Sequence, residues 1–464
     1  MKIRTLVTLL AMAVFAVTSC EKEDIKLPFN ELNPEANKQL VEDSAIEAAK
    51  AMDELKDEPA VDASVSLAMH LDMADPFENS FKKSKPFSIV NVVAGLDNDE
   101  SGITDIFATV QSPGELTEDP ETIEDIWNEA KGTYTWNEMT ESWDFTENAD
   151  AVVFEFPSAE EGTSNNATLT ISNYTSVMVN SPLEEEYDGD LPTSLDIDFV
   201  VDGASVMSFH FAANYNADGI PEDGAADLNI GDFTFSIDGT NNDTEISANQ
   251  SFTNGDQVIL QMNGTLNGDF TDANIEENTH TYSDTYTWTD WVWNDDLGMY
   301  EEVEVTETDT WEEVDGEEIA QSGDFKVRLF DISIGGTGDI KAMVDSMDII
   351  YPEDRWENEN FDEKAATEAE ARIMNSYLQI YAIDEASKQK IADVEAYVVE
   401  EVETWGDESW TYYWVDFRLV FGDGSLVDLE TYFENGFDEF IAELNSMISE
   451  LNSEYDMDFD PIDY

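Results

Sequence analysis

The chain has a single cysteine among its 464 residues, only three histidines, and 20 lysine and arginine residues against 106 aspartates and glutamates. One thiol cannot form an intramolecular disulfide, so the fold has to rest on its hydrophobic core. The sequence also lacks a phosphate-binding loop, a nucleophile elbow and a histidine-rich zinc motif. His70, His210 and His280 are far apart, and none has a nucleophile at a recognisable spacing. We therefore expect a protein that is not an enzyme.

One catalytic alternative stays open. Glycosidases act through two carboxylates that flank the scissile bond. With 106 acidic side chains, any fold would bring some carboxylates together, so the sequence alone does not test this alternative.

The shortage of positive charge gives the chain a formal net charge of −86. Nucleic acid is excluded as a partner, because neutralising phosphates requires clustered lysine and arginine. Hydrophobic residues still make up 41% of the chain and aromatic residues 11%, which indicates a folded protein rather than a disordered acidic tail. Such a charge suits a salty or calcium-rich exterior, where counterions screen self-repulsion.

Long hydrophobic runs are also missing. Residues 5–17 form the apolar stretch that follows Lys2 and Arg4, and it is shorter than the roughly 20 residues of a membrane-spanning helix. A basic flank, a short apolar core and small residues are typical of a signal peptide. The stretch ends in Val17-Thr18-Ser19-Cys20, and Cys20 is the only cysteine.

This tetrapeptide resembles the lipobox of bacterial lipoproteins, and the following Glu21-Lys22-Glu23-Asp24 resembles the export signal of Bacteroidota surface lipoproteins. The resemblance implies cleavage before Cys20 and attachment of acyl chains to that residue, which together form a stable membrane anchor. Loss of Lys2 and Arg4 would change the net charge from −86 to −88. The implied location is the outer membrane with the chain displayed on the cell surface, and the periplasmic face is the alternative.

The rest of the chain divides into a tether over residues 20–32, N-terminal helices over 33–75, an antiparallel β domain over 76–350 and an α/β segment over 351–464. Asn33-Pro34 is typical of a helix start. Apolar residues then recur at steps of three and four, and we expect Pro59 to end this helix; they are Val41, Ala45, Ala48, Met52 and Leu55. A second helical segment is predicted over 61–73.

From about residue 89 to residue 350 the hydrophobic period changes to two, as in Met207, Phe209 and Phe211. Four dipeptides typical of tight hairpin turns lie between such runs: Asp202-Gly203, Asp238-Gly239, Asn254-Gly255 and Asn267-Gly268. Consecutive hairpins without helices between them indicate an antiparallel meander, and a sheet this long has to curl, close or pair with a second sheet. The predicted fold is thus mainly β (α+β), a long curled or sandwich-like meander with amphipathic helices at both ends.

The last hundred residues mix both kinds of element. We predict a helix over 362–374, strands over 377–383, 391–402 and 410–421, and a closing amphipathic helix. Its apolar stripe comprises Phe437, Phe440, Ile441, Leu444, Ile448 and Leu451.

The candidate metal site lies around Gly219. Asn216, Asp218, Glu222 and Asp227 carry oxygen ligands of the kind Ca²⁺ prefers, and 218–223 resembles part of a thrombospondin type 3 calcium repeat. The alternative is a plain hairpin loop with Gly219 and Pro221 as turn residues. Ca²⁺ is accordingly the one candidate cofactor.

The candidate ligand-binding residues are Trp288, Trp291 and Trp293, whose rings could stack on sugars unless they pack into a core. Related Trp-bearing hairpins run from Trp136 to Trp143 and from Trp405 to Trp410, and we expect cross-strand aromatic pairs in all three. The sequence favours a non-catalytic binding or structural protein anchored by Cys20, with a glycan, lipid or protein as ligand. The alternatives are a periplasmic carrier of a lipid or another hydrophobic ligand, with a half-barrel cavity, and a glycan-binding or glycan-hydrolysing surface protein.

Overall fold

The computed structural model describes residues 27–74, 123–159, 162–179, 189–217, 219–294, 299–314, 316–351, 361–405 and 408–429, with a few single positions beyond them. The chain is mainly β, and an antiparallel meander makes up most of it, as predicted. The signal peptide, Cys20, most of the tether and most of the predicted closing helix lie outside the described residues.

Sixteen strands form one sheet. From one edge to the other their order is β18-β17-β16-β15-β14-β13-β10-β9-β8-β7-β6-β5-β4-β3-β1-β2, so most neighbours are also consecutive along the chain. All pairs are antiparallel except β1 with β3. Strands β11 and β12 leave this sheet and form a hairpin of their own. Within the described residues, this large sheet is not closed into a barrel.

The first ten strands are β1 Gly132–Asn137, β2 Ser142–Thr146, β3 Ala151–Phe156, β4 Ala167–Val179, β5 Gly189–Val201, β6 Ala204–Tyr215, β7 Pro221–Ile230, β8 Phe233–Asn242, β9 Glu245–Asn254 and β10 Gln257–Gly268. The other eight are β11 Thr279–Asn294, β12 Met299–Val314, β13 Ala320–Leu329, β14 Ile332–Asp339, β15 Leu378–Asp384, β16 Gln389–Trp405, β17 Glu408–Phe421 and β18 Leu426–Asp428.

The α-helices of the described residues are α1 Pro34–Asp53, α2 Pro59–Met73, α3 Ile123–Ala130, α4 Asp272–Glu277, α5 Gly316–Ile319, α6 Ile340–Ile350 and α7 Glu363–Tyr377, and a 3-10 helix, Glu54–Asp57, directly follows α1. Asn33 caps α1, with its side chain accepting from the Ala36 amide at 2.9 Å, as the Asn33-Pro34 pair predicts. The predicted helical stretch does end before Pro59, since the 3-10 helix after α1 stops at Asp57, but the proline itself belongs to the next helix. Helix α1 stops at Asp53, and Pro59 begins α2, because proline fits the first helical turn, where no amide donor is needed.

Alternation along the strands gives the sheet an apolar, helix-covered face and a polar face. On the helix-covered face, α2 packs Ala63 and Leu67 against Phe199. Helix α1 packs Ala48 against Phe233, and its Leu40 and Val41 reach the cluster around Phe421. The two helices therefore cross much of the sheet. This layer is the main core of the described chain.

The polar face carries hydroxyl, amide and carboxylate groups that bond from strand to strand. Ser236 Oγ donates to Asp227 Oδ1 at 2.6 Å, and Asn249 Nδ2 donates to Asp238 Oδ2 at 2.8 Å. On the next strand, Asn263 Nδ2 donates to Asn249 Oδ1 at 2.7 Å, so these hydrogen bonds link three neighbouring strands. Such cross-strand pairs stabilise a face that water also reaches.

Two of the four predicted hairpin turns are present. Asp202 and Gly203 both have positive φ angles, 51° and 80°, and join β5 to β6, while Gly255 joins β9 to β10 with a φ of 55°. Asp238-Gly239 and Asn267-Gly268 instead lie within β8 and β10, so those two turn predictions are wrong. A side chain at Gly239 would put its Cβ 2.9 Å from the Ser247 carbonyl oxygen, so this glycine serves close strand approach.

The period-two reading of residues 89–350 also misses four helices, α3 to α6. The longest of them, α6, has a capping Asp339 whose side chain accepts from the Ala342 amide. In the C-terminal part the predictions agree with the structure. Asp362 caps α7, and β15, β16 and β17 follow within three residues of the expected bounds.

Candidate functional site

Two long hairpins carry most of the exposed aromatic side chains of the described chain. One is β11–β12, and the other is the outer half of β16–β17. Pairing of β15 with β16 stops at Ile380 and Val394, whereas β16 and β17 stay paired out to Trp405 and Glu408. The outer half of β16–β17 is therefore a two-stranded ribbon that extends past its neighbour in the sheet.

The polar side of this ribbon holds two parallel rows of side chains. Trp410, Tyr412 and Trp414 form the aromatic row on β17, and they are 42%, 45% and 40% exposed. Glu403 and Glu401 form the acid row on β16, directly opposite Trp410 and Tyr412 in the register. Both glutamates are exposed. Because alternate residues of a strand lie on one side, the aromatic row is a platform roughly 14 Å long.

A polar cluster closes the inner end of the platform. Arg418 donates from Nε and Nη2 to Glu395 Oε2 at 3.1 and 2.9 Å, and its guanidinium lies 5.0 Å from the centre of the Tyr397 ring. Burial, and then the carboxylates of Asp428 and Asp416, raise the pKa of Tyr397 to about 12. Its hydroxyl therefore stays protonated at neutral pH and remains a hydrogen-bond donor.

The other side of the ribbon is supported by α7. Lys364 Nζ pairs with Glu400 Oε2 at 2.7 Å and lies 5.2 Å from the centre of the Tyr413 ring. The hairpin is thus fixed from one side, which leaves the aromatic and acid rows open to solvent.

The hairpin β11–β12 repeats this chemistry. Tyr282 and Trp311 stack across it with their ring centres 6.0 Å apart, and Tyr286 and Trp288 stack at 5.4 Å. These four rings are between 39% and 49% exposed. Thr285 and Thr308, on the opposite side, share a hydrogen bond at 2.9 Å.

The three predicted ligand-binding tryptophans all belong to β11. Trp288 shares a side with Tyr286, and the register pairs Trp291 with Glu302 and Trp293 with Tyr300. The structure describes the backbone of Trp291 and Trp293, and their side chains lie outside what it describes.

Of the three predicted aromatic pairs, two are in register. Trp136 faces Trp143 with ring centres 5.3 Å apart, and Trp293 faces Tyr300. The third prediction is wrong, because Trp405 faces Glu408 and Trp410 faces Glu403.

Sequence reasoning missed the aromatic row on β17 as a binding candidate. The signal was its two-residue spacing, which Tyr413 conceals by placing a fourth aromatic residue between Tyr412 and Trp414.

The three histidines lie on separate elements. His70 is buried in α2, where its ring meets Trp136 edge-on at 4.6 Å and its Nδ1 faces the Ser66 carbonyl. His210 is exposed on the polar face and pairs with Asp196, as expected for a solvated strand position. His280 is exposed on β11. These three histidines therefore do not form a common site.

The candidate calcium ligands are not brought together as a set. Asn216 Oδ1 accepts the Ile220 amide at 2.9 Å, which is the bond of a turn. Glu222 and Asp227 both lie on β7, roughly 16 Å apart along the strand. Asp227 faces His210 and accepts from Ser236 instead. Asp218 lies outside the described residues.

Among the described residues, no group of three or more histidine, cysteine, aspartate or glutamate side chains is arranged to hold a metal ion.

An apolar cavity on the helix-covered face bears on the carrier alternative. It has a volume of ≈ 80 Å³ and lies over β9, β10 and β13, between Ile246, Met262, Leu266 and Phe325. Pockets for small molecules usually measure a few hundred Å³ or more. This cavity is therefore small for a lipid.

None of the described helices combines the length and apolar composition that crossing a membrane requires. Comparison with family models, with curated proteins and with solved structures finds no match to this chain.

Proposed function

We propose that the chain is a lipid-anchored, non-catalytic binding protein displayed from the outer membrane of a bacterial cell envelope. The observation that carries the binding role is the outward orientation of the aromatic rings on β11–β12 and β16–β17. Large aromatic side chains left open to water on a protein surface mark sites of interaction. The anchor rests on the lipobox-like residues that end at Cys20 and on the acidic export-like residues 21–24.

Binding explains the exposed hairpins better than the two alternatives do. A lipid carrier needs an enclosed apolar space of a few hundred Å³ or more, and the apolar cavity over β9, β10 and β13 measures ≈ 80 Å³. A glycosidase needs one carboxylic acid that is held protonated, usually by a sheltered environment. Glu401 and Glu403 lie beside aromatic rings, but on an open surface.

The anchor is tested by replacing Cys20 with serine and fractionating cells that express either protein. We expect the wild-type chain in the outer-membrane fraction and the Cys20→Ser chain in the soluble fraction. Mass spectrometry of the native N-terminal peptide should find acyl chains on Cys20. An unmodified thiol, or equal membrane retention of both proteins, would contradict the anchor.

Surface display is tested by adding a protease to intact cells. A chain on the outside is degraded while a periplasmic marker survives, whereas a chain on the periplasmic side is degraded only after the outer membrane is opened. Replacing Lys22 and the two acids after it with alanine should keep the chain on the periplasmic side, so that the protease degrades it only after the outer membrane is opened.

A further inference from the structure

We propose that the aromatic row and the acid row of β16–β17 form a binding site for a neutral polysaccharide. The inference rests on the proposed binding role and names its ligand. It is independent of the anchor at Cys20.

The rings of the aromatic row are suited to a flat, repeating ligand. Trp410, Tyr412 and Trp414 follow each other at two-residue steps on one side of a strand that α7 supports from behind. The ring face of a sugar is lined with C–H groups, which pack on the face of a tryptophan or tyrosine. Several rings in a line bind several consecutive units of a chain, which makes a polymer a better fit than a single sugar.

The acid row supplies the polar half of the site. Glu403 and Glu401 lie next to Trp410 and Tyr412, and a carboxylate is an acceptor that sugar hydroxyls satisfy. At the inner end, Arg418 adds donors, because only two of its five guanidinium N–H groups are used on Glu395. Rings, acceptors and donors are therefore all placed along one surface.

The negative charge of the protein around this site indicates that the ligand is uncharged. The segment 398–417 contains six acidic residues and no lysine or arginine, and the whole chain carries a net charge of −86. Sulfated or uronic-acid polymers would be repelled. Insertion of the rings into a lipid bilayer would strip water from Glu401 and Glu403 without offering them hydrogen bonds, which is costly. A neutral, hydroxyl-rich polymer avoids both penalties.

The test uses the full chain carrying Cys20→Ser, so that the anchor plays no part. Native gels containing soluble neutral polysaccharides (β-glucan, glucomannan, xylan and dextran) measure retardation, and calorimetry measures affinity for the best of them. Alginate serves as the anionic polymer, and phosphatidylcholine vesicles serve as the membrane. We expect retardation by at least one neutral polymer, none by alginate and no vesicle binding.

Two double variants locate the site. Trp410→Ala with Trp414→Ala should weaken binding at least about tenfold, since both lose the ring face on which a sugar packs. Glu401→Gln with Glu403→Gln keeps the shape and should weaken binding several-fold. Phe145→Ala, which removes an exposed ring on β2 at the far edge of the sheet, is the matched control and should bind like the parent.

Four results would overturn the inference. They are no retardation by any neutral polymer, binding that survives the loss of both tryptophans, retardation by alginate as strong as that by the neutral polymers, and binding to vesicles but to no neutral polymer. Circular dichroism of each variant separates loss of the site from loss of the fold. Because the soluble chain is used, failure here leaves the anchor experiment untouched, and failure of the anchor leaves this result standing.

Discussion

The side-chain amide of Asn375 on α7 makes two hydrogen bonds to the main chain of Ala396 on β16. Its Nδ2 donates to the Ala396 carbonyl, and the Ala396 amide donates to its Oδ1, each at 2.7 Å. Strand β15 begins at Leu378, and its pairing with β16 ends at Val394, so none of the described strands pairs with Ala396 on that side. The asparagine replaces the missing strand where the outer hairpin begins.

We therefore predict that Asn375→Ala lowers the free energy of unfolding by about 1 kcal/mol. Loss of both bonds should also speed amide hydrogen exchange in the outer half of β16–β17 more than elsewhere. Ser376→Ala is the control, because the Ser376 hydroxyl bonds back to the Arg372 carbonyl within the same helix. Equal exchange in both variants would show that Asn375 does not hold the hairpin.

A second prediction concerns acid stability and the buried carboxylate of Glu385, which is 6% exposed. Burial alone would raise the pKa of Glu385. Bonds from Lys326 at 2.6 Å, Lys388 at 2.7 Å and the Ser333 hydroxyl outweigh it and hold the pKa at about 2. Since a glutamate in the unfolded chain has a pKa of about 4.3, the folded state gains stability above that pH and loses it as the pH falls toward 2.

Glu385→Gln should accordingly cost about 2 to 3 kcal/mol at pH 7. The difference from wild type should shrink as the pH is lowered through the range between the two pKa values, because the wild-type carboxylate is then protonated too. Urea titrations at several pH values measure it. Glu47→Gln removes an exposed pair with Lys50 and should change stability little at any pH. A pH-independent cost at Glu385 would contradict the ion-pair explanation.

Where local chemistry decided the structure, the sequence was enough to predict it. Asn33-Pro34 and Asp362 start helices because a side-chain acceptor precedes free amides, and the alternating runs of the meander form strands with one apolar side. The predictions failed where a contact between residues on different strands determined the local structure. Gly239 continues a strand because the Ser247 carbonyl lies where a side chain would be, and no local pattern encodes that neighbour.

The candidate site followed the same division. Exposed aromatics on a hairpin could be anticipated at Trp288, but which side of a strand is open depends on what covers the other. At Trp410 and Trp414 the answer comes from α7, through Lys364 and its contact with Tyr413. Periodicity alone gives two sides without saying which of them faces water.

A third prediction concerns the contact between α1 and the sheet. The buried Ser44 hydroxyl donates to the Leu329 carbonyl and accepts from the Asp331 amide, each at 3.0 Å, and so ties the helix to the turn between β13 and β14. Ser44→Ala leaves both main-chain groups without this partner and should lower the free energy of unfolding by about 1 to 3 kcal/mol. Ser376→Ala, at an exposed position of α7, again serves as the control and should lower the free energy of unfolding less. Denaturant titration of both variants and the wild type measures these free energies of unfolding, and equal losses in the two variants would contradict the prediction.

The last prediction separates screening from specific metal binding. With a net charge of −86, the folded chain repels itself, and salt should raise the melting temperature by screening that repulsion. Divalent ions will do so as well, so the informative comparison is Ca²⁺ against Mg²⁺ at equal ionic strength. Because Asp227 lies roughly 16 Å along β7 from Glu222, we expect equal melting temperatures in the two salts.

Replacing Asp218 by asparagine completes that test, because it removes one carboxylate from the loop around Gly219. If the loop binds no ion, the variant should follow wild type in both salts. A calcium-specific rise that disappears in the variant would establish a site built from Asp218 and its neighbours without Asp227, since a bound ion has to stabilise the folded state. The Asp223→Asn variant is the matched control, because Asp223 already accepts from Asn214 at 2.8 Å on the adjoining strand.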